Sequence, residues 1–321
     1  MKTALFATSA LCAAGLACAA SAAEWETGIS GYYFLGVGVT DSGAQDGLGV
    51  LRDGEFHVNG RLAADNGLVF AARIEVEAFT SNDQIDENWG RVIGPFGALT
   101  IGSDASVGYE QVGALGIVFS PGGRIGYADA FALTSEALVN EAAFMGFATD
   151  SIGLHYSSPD FFGFQAHGSY IPSANTDGAA DTNNPAFSAN DEVWSLAATY
   201  AGEFSEVSFG LGGHYTDQEG VAGEQIGAAG YVGFAGVTLA GFYEDDFADD
   251  EFGIGLQYET GPWAIGGGYS NSDQLGNEIG SAWVTYSAAP GVQMTVGVEY
   301  ADDDTVAGSD FGGLAYLTLM F

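Results

Sequence analysis

The stretch VQMTVGVEY, residues 292–300, alternates residue by residue: Val292, Met294, Val296, Val298 and Tyr300 share one face, and Gln293, Thr295 and Glu299 take the other. A period of two is the signature of a β-strand with one apolar and one polar side. The stretch after it, FGGLAYLTLMF at residues 311–321, continues the pattern and stops on a bare aromatic, Phe321. Chain ends usually fray and are polar. An apolar last strand makes sense in a sheet that has no edge and whose outer face meets lipid, with Leu317, Leu319 and Phe321 on that face.

Reading backwards, the same alternation recurs. In FFGFQAHGSY the outer set is Phe162, Phe164, Ala166 and Tyr170, opposed by Gln165, His167 and Ser169. In LVFAARIEVEAF it is Phe70, Ala72, Ile74, Val76 and Ala78 against Arg73, Glu75 and Glu77. Sixteen such segments begin near residues 25, 50, 68, 87, 98, 151, 162, 192, 206, 224, 237, 251, 263, 278, 292 and 311. Every second connection is a tight turn: DNG at 65–67, PFG at 95–97, PDFFG at 159–163, AGEFS at 201–205, TGP at 260–262 and AAPG at 288–291. The others are longer and mostly rich in Asp and Asn, among them TSNDQIDEN, EDDFADDE and ADDDTVAGSD. An even strand number, short turns at one end and long loops at the other predict an all-β fold, a 16-stranded antiparallel transmembrane β-barrel spanning 24–321. Trp25, Tyr156, Tyr200, Tyr215, Trp263 and Tyr300, near strand ends, are expected to form the interfacial aromatic girdles. A soluble sandwich would also alternate, but it has no need of alternating short and long connections and would carry surface Lys.

Residues 1–23 read as a cleaved secretory signal: Lys2, an Ala-rich apolar core, and small residues before a cut after Ala22 or Ala23. Both cysteines, Cys12 and Cys18, lie inside it, so no disulfide or thiolate metal site is expected in the mature chain. Acylation of Cys18 would want Leu three residues earlier, where Gly15 stands. The 42 acidic residues against six basic ones give a formal charge of −36, which excludes a nucleic-acid partner. Disorder is excluded too, because 47% of residues are hydrophobic and 13% aromatic. Fifty glycines disfavour long helices, and no apolar run beyond the signal reaches transmembrane length.

A signal peptide, sixteen strands of this kind and a terminal aromatic resemble the Gram-negative general porins, in particular those of alphaproteobacteria. The resemblance covers essentially the whole mature chain, most specifically in its last strand. It implies an outer-membrane homotrimer in contact with lipid and lipopolysaccharide. It also implies that Phe321 serves as an assembly signal for the barrel-insertion machinery. The implied function is a water-filled channel for passive diffusion of ions and small hydrophilic solutes.

One connection is out of scale. The alternation lapses from about Asp104 to Asp150, and so long a loop in a compact protein is usually functional. Sixteen strands enclose a lumen too wide for side chains to fill, so the segment is expected to fold inward and narrow it, as the third loop does in the family resembled. It carries Asp104, Glu110, Asp129 and Glu136 with Arg124 as its only base, and a short helix is expected from about Asp129 to Ala142. It lacks the family's PEFGG-type constriction motif and offers only SPGG at 120–123, so which carboxylates form the eyelet stays open. Strand parity places Glu55, His57, Asn59 and Arg61 on the lumen face of the second strand. On the third strand that face carries Arg73, Glu75 and Glu77, and on the fourth Trp89 and Arg91. Arg61, Arg73 and Arg91 thus line adjacent strands, Arg73 and Arg91 near mid-height and Arg61 nearer the periplasm; Arg52 has the wrong parity and is expected at a loop edge. Such a cluster facing loop acids sets a transverse field like a selectivity filter, and resembles the family's arginine wall. The alternative is that each Arg pairs with a neighbouring acid to brace the loop.

His57, His155, His167 and His214 read as polar lining, because no fixed spacing specifies a metal site. No nucleophile elbow, H-E-x-x-H or phosphate loop is present, and no enzyme is expected. The acidic loop runs lack calcium-loop spacing, although a looser rim site for Ca²⁺ remains an expectation. Excess negative charge should make the channel cation-preferring. The competing readings are a substrate-specific porin, which would show an aromatic track, and a barrel enzyme or adhesin. Trp89, Tyr231, Phe242 and Trp283 have lumen parity but form no obvious ladder in sequence.

Overall fold

The computed structural model describes residues 24–41, 47–78, 84–116, 151–173, 192–246, 249–272, 277–303 and 310–321. Within them sixteen strands form one closed antiparallel barrel, each paired with its chain neighbours and the first with the last. The strands are β1 (Glu26–Asp41), β2 (Gly47–Ala63), β3 (Val69–Glu77), β4 (Ile85–Gly94), β5 (Gly97–Ser103), β6 (Ile152–Ser157), β7 (Phe164–Ile171) and β8 (Val193–Phe204). The second half comprises β9 (Val207–Gln218), β10 (Gln225–Phe234), β11 (Val237–Asp246), β12 (Asp249–Thr260), β13 (Trp263–Ser272), β14 (Asn277–Ala289), β15 (Val292–Asp303) and β16 (Asp310–Met320).

Closure runs along the β1–β16 ladder from Tyr32↔Met320 to Asp41↔Phe311. Phe321 extends that seam: its amide donates to the Gly31 carbonyl at 3.1 Å, and its carbonyl accepts from Gly31 at 3.0 Å. Its ring packs 5.8 Å from that of Phe56. Every backbone group of a lipid-facing strand must find a partner inside the protein, and closure supplies one for both edges.

Alternation decides which way each strand faces. In β8, Val193, Ser195 and Ala197 are buried inward, while Trp194 and Leu196 are 51% and 62% exposed outward. Val296, Ile254 and Ile101 extend the outward apolar band. In water such a continuous patch would drive association, whereas in a bilayer it is the solvated surface. Aromatics flank the band at both ends. Trp25, Tyr156, Tyr200, Trp263 and Phe321 lie at the short-turn end, and Tyr215 and Tyr300 at the other, all exposed outward. Tyr156 fixes its end by donating to the Phe96 carbonyl at 2.7 Å. No helix among the described residues is long and apolar enough to cross a membrane.

A seventh short turn, Ala235–Gly236, joins β10 to β11 with φ of 51° and 84°. Two consecutive positive φ values match the twist of a two-residue hairpin. At the other end the strands outlast the membrane: β1 and β2 run 16 and 17 residues, where about ten suffice to span. The acids of EDDFADDE, expected in a loop, pair across β11 and β12 as Glu244↔Glu251, Asp245↔Asp250 and Asp246↔Asp249. β5 and β6, from which the longest connection departs, have only seven and six residues.

Candidate functional site

The charged wall is built by register. Arg61, Ala71, Arg91 and Thr100 lie in one hydrogen-bonded row across β2–β5, and Asn59, Arg73 and Trp89 form the next. His57 and Glu75 follow, then Glu55 and Glu77. Arg61 and Arg91 therefore share a row and Arg73 stands one step toward the long-loop end, an offset that parity alone does not fix. Arg52 faces outward, as its parity requires, but sits inside β2 opposite Leu35 rather than at the loop edge.

Each of two arginines meets an acid. Arg91 donates from Nε to Thr100 Oγ1 at 2.7 Å and from Nη2 to Asp104 Oδ2 at 3.3 Å. Its guanidinium also lies 4.2 Å from the Trp89 ring centre, a cation–π contact. Arg73 donates to His57 Nδ1 and pairs with Glu75. His57 Nε2 lies 3.2 Å from Glu55 Oε2 and 3.8 Å from Glu75 Oε2. Arg73 is thus tied within the wall, whereas Arg91 reaches the root of the long connection.

That connection turns into the barrel. Its described part, 104–116, runs along the inner wall from β5 toward β11, with one π-helical turn at Gly108–Gly113 followed by Ala114–Gly116. The Val107 amide donates to Ser169 Oγ of β7 at 2.9 Å. Val107 and Val112 pack on Ala197 of β8 and Ala229 of β10, with Leu115 and Phe242 alongside. Gly108 lies against the His214 ring of β9; a Cβ there would come within 2.8 Å of Nδ1. His214 is held in turn by Glu244 at 3.0 Å and Thr216 at 3.4 Å. Strand parity puts Ser169 and His214 on the polar lumen face, but nothing local in the sequence marks them as a seat for the loop. Arg124, Asp129 and Glu136, and the helix expected near them, lie outside the described residues.

Asp104 and Glu110 stand beside Glu87 of β4, their carboxylate oxygens within 4.8 Å of one another. Burial pushes the Asp104 carboxyl up to about 7, Glu110 adds to the rise, and Arg91 opposes it. As pH falls through about 7, Asp104 takes a proton and Arg91 keeps its charge, so the local field becomes more positive. A drop from pH 8 to pH 6 is therefore expected to lower cation preference, read as a shift in reversal potential. Because this carboxyl holds its proton more firmly when seated than when free, the seat itself is firmest below about pH 4 and loosens as pH rises through about 7.

The other histidines bond hydroxyls: His155 to Ser169 at 3.0 Å, and His167 to Ser157 at 2.8 Å and Thr199 at 3.0 Å. Trp283 is buried, packing with Tyr231, Ala240 and Ala264, and Phe242 lies under the loop. Among the described residues these rings serve packing and make no continuous track.

A closed barrel with an apolar belt, a polar interior and a loop folded inside it is the architecture of an outer-membrane diffusion channel. The chain belongs to the Gram-negative porin family, whose sequence model matches residues 7–312. Its fold is similar to solved structures of Rhodopseudomonas blastica porin mutants, an alphaproteobacterial protein. Two triple mutants each align with 15% identity and a TM-score of 0.66, over 92% of this chain and all of theirs. A third mutant aligns with 15% identity and a TM-score of 0.64 over the same shares. No curated protein sequence matches the chain significantly. Family and fold support an outer-membrane porin channel.

Proposed function

We propose that this porin is a passive, cation-preferring channel for ions and small hydrophilic solutes, with its constriction between the Arg61–Arg73–Arg91 wall and the long connection. The observation that carries this reading is the seating of 104–116 inside the lumen, with its root acid Asp104 paired to Arg91. Size exclusion follows from the narrowed bore. Cation preference follows from 42 acids against six bases, which concentrate cations at the mouth. Glu75 shapes the wall by pairing with Arg73, and Glu110, Arg124, Asp129 and Glu136 supply charge from the loop side. The working unit is a homotrimer set in lipid and lipopolysaccharide. Liposomes carrying the protein should swell in small sugars at rates that fall steeply with solute mass; no swelling in any of them would contradict the channel reading.

Phe321 acts in this account as the mark read by the barrel-assembly machinery. Phe321→Ala removes the contact with Phe56 and the girdle ring at the seam. It is expected to lower the yield of heat-modifiable folded barrel severalfold in cells, measured by electrophoretic mobility of outer-membrane fractions.

A further inference from the structure

We propose that Glu55, His57 and Glu75 form a binding site for a zinc-like divalent transition-metal ion in the channel wall. Their ligand atoms lie within 4.8 Å of one another. His57 Nε2 is 3.2 Å from one carboxylate and 3.8 Å from the other. Ligands about 2.1 Å from a tetrahedral ion stand about 3.4 Å apart, a separation these two distances bracket. Nε2 sits between the carboxylates without a hydrogen bond aligned to either, and Glu55 Oε1 has no hydrogen-bond partner. Glu55 is only 5% exposed, so an unpartnered buried carboxylate oxygen accompanies the cluster. Mixed imidazole and carboxylate donors suit a zinc-like ion, whereas calcium and magnesium take oxygen alone.

Arg73 sets the consequence. A guanidinium only donates, so the His57 Nδ1 it meets carries no proton, and the neutral ring holds its proton on Nε2. A metal on Nε2 needs that proton moved to Nδ1. The ring stays neutral, and Nδ1 can no longer accept from Arg73. Binding thus adds positive charge to the wall and frees Arg73 from the imidazole, while Glu75 keeps an oxygen for the guanidinium. Zinc would therefore turn the channel away from cations.

The test is to add zinc chloride to the purified porin, with calcium and magnesium chloride as comparators. Calorimetry in detergent should give one zinc per chain, bound at least tenfold more tightly than either comparator. Both His57→Ala and Glu55→Gln should weaken zinc binding at least tenfold, and chelation should reverse it. In a planar bilayer, zinc should lower the cation-to-anion ratio of wild type and leave His57→Ala unmoved. Zinc acting only at calcium-like concentrations, or a response that survives His57→Ala, would overturn the site. The bilayer readout rests on the channel reading and the calorimetry does not, so a failure of one is distinguishable from a failure of the other.

Discussion

Replacing Arg61, Arg73 and Arg91 together by Ala is expected to raise the cation-to-anion permeability ratio roughly fivefold. A unit charge about 10 Å from a permeating ion in water changes its energy by about 0.4 kcal/mol. Three arginines act with opposite sign on cation and anion, so the unscreened difference is about 2.4 kcal/mol. Salt at a Debye length of about 10 Å cuts this to about 0.9 kcal/mol, roughly a fivefold ratio. The three side chains occupy two adjacent rows on β2–β4, close enough to act as one field. Removing Arg91 also lets Asp104 hold its proton more firmly, which offsets part of the effect. Reversal potentials of wild type and triple variant in the same gradient decide it. An unchanged ratio would move selectivity from this wall to the acidic mouth.

Val112→Asp is expected to unseat the loop and raise single-channel conductance severalfold. Val112 is fully buried between the π-helical turn and Ala197 and Ala229. A lone carboxylate placed there has no partner, and an uncompensated buried charge costs several kcal/mol. Local seating is worth less than global stability, so the loop should lift before the barrel opens. Val112→Ala, which loses methyl groups but adds no charge, should keep the seat and change conductance little. If Val112→Asp conducts like wild type in a folded barrel, the segment does not narrow the bore.

The barrel was legible because lipid on one side and water on the other force a strict period of two. All sixteen strands start within three residues of their expected positions, from Glu26 to Asp310. The outer strand ends were harder to read. Asp245 and Asp250 look like loop residues by composition, yet they pair because β11 and β12 continue into water beyond the membrane. Parity puts Arg61, Arg73 and Arg91 on the lumen side, but their rows depend on the inter-strand register, which pairs Ala71 with both Arg61 and Arg91. The lapse in alternation after Ser103 announced a special loop. Its seat on Ser169, His214 and Ala229 was not legible, because those contacts join residues more than sixty positions apart with no local pattern. Ion pairing divided the wall in a way that residue types did not foretell: Arg91 braces the loop root, and Arg73 turns to His57 and Glu75.

The most direct test of the whole account is the reversal potential of the purified porin in a planar bilayer across a potassium chloride gradient. Discrete conductance steps with a potential favouring potassium are the expected result. An anion-favouring potential would contradict the proposed selectivity, and a correctly folded barrel that gave no steps would contradict the channel itself.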